Sequence, residues 1–179
     1  MVVDVSNISI GEAAIEAMRQ IDSIVHEAEM SIVMEEYTYL QENGVLVEAE
    51  DKVGIVQRVK DAISKMVDTI MNLLITAKRN IDRKVHEIKQ NHEAKVAARK
   101  LAKELEDIYD DVKKEAEKSK KEADKTTDTS VLNGILNKFK DKCNGAAKSI
   151  KSKTETVKVD ILDTDGKKIA TTKAKVQVV

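Results

Sequence analysis

Large rings are almost missing from this chain, which has one phenylalanine, three tyrosines and no tryptophan. Proline is absent, and Cys143 is the single cysteine. Each absence excludes something. Rings supply the largest buried areas, so the core must be built from thin aliphatic seams, which suit long paired helices. Without proline, no residue forces a helix to break. One cysteine rules out an internal disulfide framework and fits a reducing compartment. The most apolar stretch, residues 63–77, is interrupted by Ser64, Lys65, Asp68, Thr69, Asn72 and Thr76. It is too short and too polar to span a bilayer, so membrane contact is not expected. The opening MVVDVSNISIG has no basic region ahead of its apolar residues. It does not read as a secretory signal, and synthesis in the cytoplasm is expected.

Lysine is also missing from the first fifty residues, where Arg19 is the only lysine or arginine. Eleven acids stand against it, giving that segment a net charge of −10. Residues 51–179 carry +9, so the near-neutral total of −1 hides two oppositely charged parts. Such asymmetry points to a charged arm with a charged partner, or to an acidic helix packed on a basic remainder.

What is present is helical. Charged residues make up 35% of the chain, and alanine, valine, isoleucine, lysine and glutamate dominate. Residues 9–43 read as a first helix, with a capping box at Ser9-Ile10-Gly11-Glu12. Met18, Ile21, Val25, Ala28 and Ile32 form one apolar stripe; Met30, Val33, Tyr37 and Leu40 form a second, shifted around the helix. A long helix is expected over 51–125, carried by Val56, Val59, Ile63, Met66, Ile70, Leu73 and Ala77, then by Ala98, Leu101, Leu105 and Val112. Unbroken, it would be on the order of 110 Å long. The spacing slips between Ile81 and His92, like a coiled-coil stutter, and a bend or break is expected near 89–95. A third helix, over 130–150 and capped by Ser130, has Val131, Leu132, Ile135, Leu136, Phe139, Cys143, Ala146 and Ile150 on one face. Lys138, Lys140, Lys142, Lys148, Lys151 and Lys153 make a basic surface there, against Asp141 alone.

After residue 153 the period changes to two. Val157, Val159 and Ile161 alternate with polar residues, Asp163-Thr164-Asp165-Gly166 is a turn signal, and Ile169 to Val178 reads as a return strand. The expected fold class is therefore mainly α: a long helical hairpin or coiled coil with a short C-terminal β-hairpin. Four segments follow: an acidic helical arm over 1–48, a long amphipathic helix or coiled coil over 49–125, a basic amphipathic helix over 126–153 and the β-hairpin over 154–179. A lone hairpin is marginally stable, and thin seams need cover, so a homo-oligomer or larger assembly is expected.

Signals for chemistry are thin. His86 and His92 stand six apart, on different helix faces, and no HExxH or CxxC pattern occurs. Asp160, Asp163, Asp165 and Gly166 lack the rest of a calcium loop. Cys143 has no histidine near it in sequence, and no phosphate-binding glycine loop is present. No catalytic residue, metal or cofactor is expected. The basic third helix suits nonspecific contact with DNA phosphates, without aromatics for base stacking.

One pattern is sharper. Leu46-Val47-Glu48-Ala49 fits aliphatic-x-Glu-small, and Ile10-Gly11-Glu12-Ala13 fits it less favourably, at a helix start. An extended segment of this kind offers an aliphatic side chain and a carboxylate to two pockets, with a small residue beyond the scissile bond. The pattern resembles the sites cut by prohead maturation proteases of large tailed phages. Together with the acidic arm it resembles processed internal head and virion structural proteins of those phages. The resemblance implies that the arm targets the protein to the assembling head and is removed after Glu48, leaving a basic mature chain in the virion. It covers the charge organisation and the candidate processing residues Leu46, Glu48 and Ala49, with Ile10, Glu12 and Ala13 the weaker set; it does not extend to the hairpin. The rival expectation is a cytosolic bacterial coiled-coil adaptor or assembly factor acting through protein contacts. A weaker third is a membrane-active helical protein exposing the Val56–Ala77 stripe and the basic helix after a switch.

Overall fold

In the computed structural model the backbone is described for residues 10–43, 53–87, 92–162 and 168–177, and the side chains for 10–37, 54–82, 95, 96 and 98–153. Four helices occupy most of this: α1 (Ile10–Asn43), α2 (Val53–Glu87), α3 (His92–Ala123) and α4 (Thr129–Ser152). Each is written by aliphatic residues at three/four spacing. On α1 the fully or nearly fully buried positions are Ile10, Ala14, Ala17, Ile21, Val25, Ala28 and Ile32. On α2 they include Ile55, Val59, Ile63, Met66, Ile70, Leu73, Ala77 and Ile81. Leu101, Leu105, Val112 and Ala116 supply α3; Leu132, Leu136, Phe139, Cys143, Ala147 and Ile150 supply α4. These stripes meet in one cluster.

Long-range ion pairs fix the directions. Lys60 binds Asp124 and Lys78 binds Glu106, so residue numbers rise on α3 as they fall on α2. Arg58 reaches Glu35 on α1, while the other end of α2 meets the start of α1. Lys140 binds Asp22 and Asn137 donates to Glu29, so α4 also runs against α1. Lys153 donates to Glu104 and closes the ring between α4 and α3. The result is an up-down-up-down four-helix bundle in which α2 also contacts α4 across the middle.

This corrects the expected single helix over 51–125. That span holds two helices, α2 ending at Glu87 and α3 starting at His92, and they pack antiparallel. The physical reason is cover. A continuous helix would leave both thin seams needing another chain, whereas folding back buries Ile63 to Ile81 and Ala98 to Val112 in the same core. Of the expected bend or break near 89–95, residues 89–91 lie outside the described residues and 92–95 open α3. The start of α4 is also corrected: Asp128, not Ser130, is its N-cap, with its carboxylate accepting from the backbone N–H of Ser130 at 2.9 Å and of Val131 at 3.4 Å. Ser130 lies inside the first turn. Val131, expected on the buried face, is 48% exposed.

After α4 the backbone runs as β1 (Thr154–Leu162) and β2 (Lys168–Gln177), paired antiparallel with Thr154 opposite Gln177 and β1 alongside α3. The turn expected at Asp163 to Gly166 lies outside the described residues. The buried core among the described residues is wholly helical, which makes the class mainly α.

Candidate interaction surfaces

Three features of the bundle face outward in ways that core packing does not require. The first is the outer side of α1. Met30, Val33, Met34 and Tyr37, at i, i+3, i+4 and i+7, are 49%, 54%, 57% and 57% exposed. This is the second stripe legible in the sequence, without Leu40, whose side chain lies outside the described residues. It points away from the core stripe that ends at Ile32. Two of the acids beside it are turned inward: Glu35 holds Arg58 of α2, and Glu29 accepts from Asn137 of α4.

The second feature is a groove of about 930 Å³ between the first half of α1 and the second half of α2. Its walls include Ala13 and Ala17 on one side and Thr69, Leu73 and Thr76 on the other, with Arg19 and Arg79 also on its lining. Short side chains on both walls leave the gap. The seam here is also polar, since Thr69 and Asn80 are buried in it. Thr69 satisfies its hydroxyl by donating to the Lys65 carbonyl at 2.9 Å. Along α4, Asn133 and Asn144 continue the face that carries Asn137 and Lys140 toward α1, and the Oδ1 atoms of both are buried without a hydrogen-bond partner among the described residues. Both seams that hold α1 therefore contain gaps or unsatisfied polar atoms.

The third feature is the basic surface of α4. Lys138, Lys142, Lys148 and Lys151 are exposed. Lys140 and Lys153 are not available in the same way, because they bind Asp22 at 3.0 Å and Glu104 at 2.9 Å. The hydrogen bond from Lys153, aided by its charge, holds the Glu104 carboxyl below the usual carboxylate range. Two of the six lysines read from the sequence thus serve packing between helices.

The candidate processing residues separate. Leu46, Glu48 and Ala49 lie outside the described residues. Ile10, Glu12 and Ala13 sit in the first turn of α1, with Ile10 buried at 2% exposure and Glu12 exposed. An extended protease-bound strand there would require pulling Ile10 out of the core. Among the described residues, no group of three His, Cys, Asp or Glu side chains gathers to hold a metal, and no helix is long and apolar enough to cross a membrane. The side chains of His86, His92, Asp160, Asp163 and Asp165 lie outside them.

Cys143 is fully buried on α4, and that burial pushes its thiol up to about 12, with Lys142 offsetting part of the effect. At pH 8 its thiolate population should be roughly a thousandfold below that of an ordinary thiol. We expect it to resist a thiol-reactive dye in the folded protein and to react at once in denaturant. Rapid labelling without denaturant would place it at an exposed position instead.

Compared with known proteins, the chain matches no family model, no curated protein and no solved structure.

Proposed function

We propose that this protein is a non-enzymatic structural protein of a large tailed phage, built into the assembling head through protein contacts and processed after Glu48. The observation that supports the reading is a coincidence of boundaries. The acidic segment, the Leu46-Val47-Glu48-Ala49 pattern and the passage from α1 to α2 all fall at one place in the chain. The exposed lysines of α4 suit contact with packaged DNA, and the C-terminal β-hairpin suits docking on a partner's sheet edge. α1 gives the processing step a mechanical meaning. It is a quarter of the bundle, tied by Ile21, Val25 and Ile32 to the core and by Glu35 and Asp22 to Arg58 and Lys140. A cut in the connector would leave it docked but no longer covalently held, and its polar, gapped seams would ease its departure.

The test uses the recognised side chains. Co-expressed with the cognate prohead protease, the chain should yield a new N-terminus at Ala49. Glu48→Gln, which removes the charge and keeps the shape, should block the cut, while Val47→Ala should be cut normally. Mature particles holding the chain with residues 1–48 attached would reject processing. A second reading then leads, and one observation favours it: the seven core residues contributed by α1 suit a helix that is kept. In that case the protein is a bundle adaptor or assembly factor, with the outer face of α1 as a permanent contact surface.

A further inference from the structure

α1 is apolar on two sides. Its inner stripe is consumed by the bundle, yet Met30, Val33, Met34 and Tyr37 repeat the same spacing on the outside and stand about half exposed. We infer that this outer stripe pairs with the same stripe of a second copy, the two α1 helices running antiparallel. The inference concerns the uncut chain and holds whichever reading of function stands.

Three properties of the stripe single out a second copy as the occupant. First, it is self-complementary. A two-fold axis between Val33 and Met34 sets Met30 against the partner's Tyr37 and Val33 against the partner's Met34, so that each thioether meets an aromatic ring or an aliphatic chain. Second, it is uncharged where the copies would touch. α1 carries eight acids and one arginine, which would ordinarily keep two copies apart. Between Met30 and Tyr37, however, the two acids are Glu35, bound to Arg58, and Glu36, seven residues on from Glu29 and so on the α4 side. The exposed acid nearest to the stripe, Glu27, stands one turn before Met30 at the edge of the patch. Third, the size fits a weak symmetric contact. The four side chains expose on the order of 400 Å² per copy, at the level of a functional patch on a monomer. The pair would bury on the order of 800 Å² in total, below the range of stable specific interfaces, which marks a weak, transient contact.

The experiment uses the full-length chain. Sedimentation should show a concentration-dependent monomer–dimer equilibrium. Met34→Glu, at an exposed position, should keep the helicity and melting temperature and weaken dimerisation at least tenfold. Because Cys143 is buried, a cysteine placed on the surface can be addressed alone. Val33→Cys should be joined to its copy by a short bis-maleimide. Ser23→Cys, on the same outer side, should not, since in the antiparallel pair the two Ser23 positions stand roughly 30 Å apart. Equal cross-linking at both positions would mean a parallel or unspecific contact and overturn the proposal. So would a wild-type chain that stays monomeric up to about 1 mM, or a Met34→Glu chain that dimerises like wild type. None of these outcomes bears on the N-terminus found in particles, so this inference and the processing step fail separately.

Discussion

Residues 49–179 expressed without α1 should lose the sharp thermal unfolding of the full chain and bind a hydrophobic dye. α1 buries Ile10, Ile21, Val25 and Ile32 almost completely, with Ala14, Ala17 and Ala28 between them. Burial of such a set contributes on the order of 10 kcal/mol. The whole net stability of a domain is about 5–15 kcal/mol, so three helices alone should not hold a native core. The exposed seam would be that of Ile55, Val59, Ile70 and Leu73 on α2 and their neighbours on α4. Calorimetry and circular dichroism check this, and adding a peptide of residues 1–48 should restore the transition. A truncated chain that melts as sharply, and at nearly the same temperature, would show α1 to be an appendage. The experiment also defines what processing requires. If the shortened chain is unstable alone, a chain cut after Glu48 as proposed would need its cover from another protein.

Phe139→Ala should be the most damaging single truncation in the core. Phe139 is the only phenylalanine, it is fully buried on α4, and its surroundings are aliphatic. Removing its ring should cost about 3–5 kcal/mol, because transfer energy is lost and a cavity remains. In a chain of 179 residues that corresponds to a melting temperature lower by roughly 10 °C. Phe139→Leu fills most of the space and should cost less than about half as much. Urea unfolding of the two variants measures both. A loss below about 1 kcal/mol for Phe139→Ala would mean that α4 is not packed through this ring.

The inner stripes were legible from sequence because spacing alone encodes them. Ile21, Val25 and Ile32 on α1, or Leu132, Leu136 and Phe139 on α4, are read without knowing what they touch. The fold-back was only half legible. The slip after Ile81 hinted at a bend, but no proline or glycine marks it, so one helix or two fitted the pattern equally. Partner choice was not legible at all. It rests on pairs such as Lys60 with Asp124 and Lys78 with Glu106, 64 and 28 residues apart, and many lysines and acids could pair as well in sequence. The same register decides the groove, since Ala13 and Ala17 become a gap only when Thr69 and Thr76 face them. It also decides which lysines remain for a partner, because Lys140 and Lys153 look like their neighbours until Asp22 and Glu104 arrive beside them. The expectation of a homo-oligomer or larger assembly rested on the lone hairpin and on thin seams, and the helical seams cover one another within a single chain.

The alternation of the four helices gives the molecule two unlike poles. α1 begins, α2 ends, α3 begins and α4 ends at one pole; the exit of α1 toward the connector and the tight link from Ala123 to Asp128 share the other. α4 ends at the first pole, so a chain held by its C-terminal end presents Asn43 and Val53 at the far end, on the order of 50 Å away. A molecule held at that end offers only one of its two poles to whatever lies beyond it.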